Sequence, residues 1–112
     1  MKSLAKMYAP VKAALLAVSD NVGKYEAIDA TKTHIVYGFD AEGDSFDAND
    51  IKLHQVLQGT IDLYALPGDE KMFDEIQEAL NAARISFSFS SATFEDQQTN
   101  DFVHYQWVFE VS

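Results

Sequence analysis

The chain has 112 residues, 47% of them hydrophobic, and a formal charge of −10 from 18 acidic and 8 basic side chains. That length fits a single domain spanning 1–112, and the apolar content is too high for a disordered chain. The absence of cysteine excludes a disulfide framework, thiolate metal sites and thiol catalysis, and the charge disfavours a grip on nucleic acid or on an anionic membrane.

The first predicted element is a helix. Leu4, Met7, Tyr8, Val11, Leu15 and Val18 recur at three- and four-residue steps, and Ser3 is placed to cap the start. Pro10 lacks an amide donor, so either the helix kinks there or it begins near Ala9 with Pro10 in its first turn. Gly23 is the expected breaker. Lys12 interrupts the apolar run, which argues against a signal peptide, and no stretch approaches the roughly 20 apolar residues of a membrane span.

A short edge strand is expected around Lys24–Ile28, then a strand over "THIVYGF", Thr33–Phe39. An acidic loop follows, Asp40–Asp50. The next strand, Ile51–Leu66, alternates clearly. Ile51, Leu53, Leu57, Ile61 and Leu63 fall on one face, and Lys52, His54, Gln58, Thr60 and Asp62 on the other. Gly59 marks a bulge or bend within it. Pro67 and Gly68 turn the chain into a second helix, with Asp69 and Glu70 suited to its positive end. Its stripe is Met72, Phe73, Ile76, Leu80 and Ala83. Ile85, Phe87 and Phe89 alternate with serines, and Val103, Tyr105, Trp107, Phe109 and Val111 alternate in "FVHYQWVFEVS", so these two segments form an antiparallel hairpin. The order α-β-β-α-β-β predicts an α+β domain: a mostly antiparallel four-stranded sheet with two helices packed on one face.

Chemistry is hard to find in this pattern. His34, His54 and His104 share no short ligand spacing. The loop from Asp40 has its glycine at the fourth position and Ile51 at the twelfth, which does not match a calcium-binding EF-hand. There is no Gly-x-Ser-x-Gly elbow, and the five glycines are scattered. Asp74 and Glu78 stand one turn apart, as on any exposed helix face. An enzyme is not expected. What stands out is the sheet's second face. Phe102 and Val108 lie opposite the Val103–Val111 row, Phe94 opposite the Phe87–Phe89 row, and Val56 and Tyr64 do the same on the long strand. A sheet with helices on one side is ordinarily wet on the other, so these residues suggest a second covered face.

Three stretches carry a family resemblance: the "VYGF" strand, "QGTIDLYA" with its aspartate-led helix ending in "EALNAARI", and the terminal "HYQWVFEV". From about Tyr8 onward the chain resembles small tail-completion proteins of siphophages and Gram-positive prophages, of the tail-terminator type. The resemblance implies a non-enzymatic structural virion protein without a cofactor. Such proteins cap the tail tube and join it to the head as a ring, typically a hexamer. The implied partners are copies of the chain, the tail-tube protein and the head-completion protein. DNA passes through the lumen without specific binding, and no membrane is involved. The implied location is the virion tail, after synthesis in the host bacterial cytoplasm. On this reading the subunit contact falls on Phe102, His104, Gln106 and Val108, then Val56 and Tyr64. The lumen or docking rim falls on Asp40, Glu42, Asp44, Asp47 and Asp50, with Phe46 either a docking anchor or an aromatic tucked into the loop. The alternatives are another head–tail connector, a tail-tube subunit, a small acidic ligand-binding domain, or an acidic nucleic-acid mimic.

Overall fold

The computed structural model describes residues 4–42, 56–97 and 100–111. Its elements are α1 (Leu4–Leu16), β1 (Val22–Lys24), β2 (His34–Glu42), β3 (Leu57–Ala65), α2 (Met72–Ala82), β4 (Ser86–Gln97) and β5 (Asn100–Val111). They build one sheet in the order β1-β2-β3-β5-β4. Its strands pair antiparallel except for β1, which runs parallel to β2.

The α+β class agrees with the sequence, and the sheet corrects it. Among the described residues there are five strands and not four, and the added one pairs in parallel, which makes the sheet mixed. The fifth, β1, has three residues, too short to show a period. It ends where Tyr25 takes a positive φ of 67°, so Lys24–Ile28 is not a strand. The following loop is organised by Asn21. Its side chain donates to the Asp29 and Thr33 carbonyls and accepts from the Asp29 amide, at 3.0–3.1 Å. Gly23 lies within β1 and does not end α1, which stops at Leu16. Pro10 sits inside α1, six residues past its start.

One face of the sheet meets both helices. Val11, Ala14 and Leu15 of α1 and Ile76 and Leu80 of α2 share a cluster with Ile35, Tyr37, Ile61, Leu63, Trp107 and Phe109. In β3 burial alternates strictly, the odd positions buried and the even ones half-buried, as one covered face requires. Leu66-Pro67-Gly68-Asp69 form a turn closed by an Asp69 amide bond to the Leu66 carbonyl, with Gly68 at φ 97°. That is type II geometry, with proline and glycine at the positions that need them. Asp69 and Glu70 therefore serve the turn, and α2 starts at Met72. It ends in a Schellman motif: the Ile85 amide reaches the Leu80 carbonyl and the Arg84 amide the Asn81 carbonyl. Arg84 takes the left-handed position, φ 58°.

Where β1 runs out, side chains close the β2 edge. The Tyr25 hydroxyl donates to the Phe39 carbonyl and accepts from the Phe39 amide, and it meets the Tyr8 hydroxyl at 3.0 Å. Lys24 Nζ sits 3.5 Å from the centroid of the Tyr8 ring. Burial, then the bond to Tyr25, then the nearby Tyr25 and Tyr37 phenols push the Tyr8 pKa from 10.0 up to about 12. A neutral Tyr8 thus belongs to the folded state. Its contribution is complete below pH 10, the unfolded value, and is lost as pH rises toward about 12. Urea midpoints compared at neutral pH and at about pH 11 are expected to fall more for the wild type than for Tyr8→Phe. Equal falls would show that Tyr8 does not carry the effect.

Candidate functional site

The other face of the sheet is built from even-numbered residues of β2, β3 and β5, and the strand register sets them in rows. Tyr64 of β3 lies between His34 of β2 and His104 of β5. Strands are spaced about 4.8 Å apart, and upright rings at that spacing stack. The centroids of His34 and Tyr64 are 4.7 Å apart with planes 11° from parallel, and those of Tyr64 and His104 are 4.2 Å and 12°. Phe102 closes the end of the stack, edge-on to His34 at 5.5 Å and to Tyr64 at 6.4 Å. The next row holds Val36, Asp62 and Gln106, and the one after Gly38, Thr60 and Val108.

Polar groups in these rows satisfy one another. Asp62 Oδ1 accepts from His104 Nε2 at 2.7 Å and from Gln106 Nε2 at 3.0 Å. His34 Nδ1 donates to the Lys32 carbonyl at 2.7 Å. A groove of about 320 Å³ runs between the 25–30 loop and His34, Tyr64 and Phe102. Among the described residues, no buried side-chain nitrogen or oxygen lacks a partner, and no group of three or more ligating side chains is set to hold a metal ion. Nor is any helix among them long and apolar enough to cross a membrane.

The structure brings five of the six expected contact residues onto this face, with different exposures. Tyr64, His104, Gln106 and Val108 are half-buried. Phe102 is 3% exposed, so the chain itself already covers it, and as a surface contact it is corrected. Val56, half-buried, immediately precedes β3. Asp40 is exposed and sits at the β2 bulge between Phe39 and Ala41. Glu42 ends β2, paired with Leu57. Asp44, Phe46, Asp47 and Asp50 lie outside the described residues, as do Ile51, Lys52, Leu53 and His54 of the expected long strand. Phe94 is also corrected. A bulge between Phe89 and Ser91 shifts the register, so its strand position pairs with Val103. A period-two count that omits the bulge sets it on the opposite row.

Sequence reasoning missed that His34 and Asp62 belong with Tyr64 and His104. The signal is weak, because one strand's period gives its face and not its neighbour's register. No family model and no curated protein matches the chain.

Proposed function

We propose that this chain is a ring-forming structural protein of the tail-terminator type, capping a phage tail tube and joining it to the head. The observation that carries the reading is the sheet's second face. Both helices pack on the opposite side, and this face holds an ordered aromatic stack beside the half-buried Val36 and Val108. Asp62 on it is paired with His104 and Gln106. A surface so organised suits flat contact inside an assembly better than turnover of a small substrate. The charge of −10 suits a lumen through which DNA slides without sticking. Copies repeating one contact about a closed axis give a ring, here of about six by the family resemblance.

Val108→Asp places a charge on this face without touching the core. Light scattering coupled to size exclusion is expected to give a discrete closed oligomer for the wild type and a folded monomer for the variant. A variant that assembles like the wild type removes the second face from the assembly. Open-ended growth of the wild type points instead to a tail-tube subunit.

A further inference from the structure

The charge of the chain is unevenly divided. Residues 1–32 hold five lysines and three carboxylates, a net +2, while the remaining eighty hold three basic and fifteen acidic side chains, a net −12. The fold turns this into a spatial polarity. Tyr8 of α1 packs on Tyr37 and Phe39, so α1 lies over the β1–β2 side of the sheet. In α2, Phe73 and Gln77 reach the opposite side. Phe73 touches Phe89, Tyr105 and Trp107, and Gln77 Oε1 accepts from Trp107 Nε1. Asp74 and Glu78 follow these residues by one position, about 100° further round the helix. Both are exposed, on the flank away from Met72 and Ala79.

Exposed apolar residues follow the same division. Among the described residues the large exposed ones are Leu16 (43%), Tyr25 (60%), Ile28 (71%) and Phe89 (44%). The first three flank β1. Phe89 belongs to β4, the opposite edge strand, whose residues 86–93 carry no charge. Beside β1 lies a groove of about 420 Å³ lined by Val22, Ile28 and Tyr37, by Lys12 and Lys24, and by one carboxylate, Glu26. Lys12 and Leu16 stand one turn apart on α1, extending the same patch.

We propose that copies of this chain associate head to tail, the β1–α1 edge of one receiving the β4–α2 edge of the next. Phe89 enters the groove, and Asp74 and Glu78 face Lys12 and Lys24. A two-fold contact would set the acidic edge against itself, whereas a heterologous contact pairs unlike charges, and heterologous contacts close into rings. The proposal rests on the ring reading for closure alone. It adds the two sheet edges to the second face as surfaces through which copies meet.

Charge exchange tests it. Lys12→Glu with Lys24→Glu, and separately Asp74→Lys with Glu78→Lys, are each expected to weaken self-association at least about tenfold while Trp107 fluorescence stays native. Mixing the two variants is expected to restore the wild-type mass, since each then meets a complementary edge. In this cysteine-free chain, Ile28→Cys mixed with Ser88→Cys is expected to cross-link between copies, with neither variant cross-linking alone. A wild-type oligomer indifferent to both charge pairs, or Ser88→Cys joining to itself, overturns the head-to-tail contact and leaves the ring reading standing. Two disrupted variants that fail to restore each other also overturn it. A wild type that is monomeric at every concentration overturns both.

Discussion

Gly59→Ala is expected to lose about 3 kcal/mol, the upper end of what overpacking costs. A Cβ there would stand 2.2 Å from the Gly38 carbonyl oxygen and 2.7 Å from Phe109 Cζ. Neither neighbour retreats easily. The carbonyl belongs to the adjacent strand beside the β2 bulge, and Phe109 is fully buried against Phe39. The added methyl must therefore part β2 from β3 or expel the Phe109 ring. Since small domains keep only about 5–15 kcal/mol in hand, the urea midpoint read from Trp107 fluorescence should drop steeply. An unchanged midpoint would mean that the strands adjust freely at this pair.

Trp107→Ala is expected to be still more damaging. The ring is fully buried on the inner strand β5, its centroid 5.1 Å from that of Phe73 and 6.0 Å from that of Phe89. Emptying such a site costs about 3–5 kcal/mol. The lost indole donor also leaves Gln77 Oε1 without its bond, worth about 1 kcal/mol more. Trp107 is the chain's one tryptophan, so the melt is followed by far-ultraviolet circular dichroism. Trp107→Phe keeps most of the volume and should fall between wild type and Trp107→Ala. Equal losses for the two would place the effect in the hydrogen bond and not in packing.

The parts of this fold that are legible in the sequence are those with a long period. Strand β3 illustrates it: alternation alone places Leu57, Ile61 and Leu63 on the buried face, and they are buried. In α2 the helical stripe points to Ile76 and Leu80, and both are fully buried. Short or irregular features are not legible. β1 has too few residues for a pattern, and the loop after it is held by Asn21, a single polar side chain between weakly patterned neighbours. The Phe89/Ser91 bulge reverses the face of everything after it in β4, and nothing in "SFSFSSATF" announces an extra residue. On the second face, the positions are readable but the relations are not. Phe102 reads as an open apolar residue, and it is buried with its ring edge-on to His34 and Tyr64.

The Tyr25 hydroxyl has a consequence for handling the protein. It occupies both the amide and the carbonyl of Phe39, the main-chain groups that a foreign strand would need there. Gly38 makes room for its ring, because a Cβ at that position would come within 2.4 Å of it. Tyrosine and glycine thus act as a matched pair of gatekeepers against aggregation along β2. Tags that displace the loop carrying Tyr25 would unmask a β-rich edge, and precipitation during purification would start from that side of the molecule.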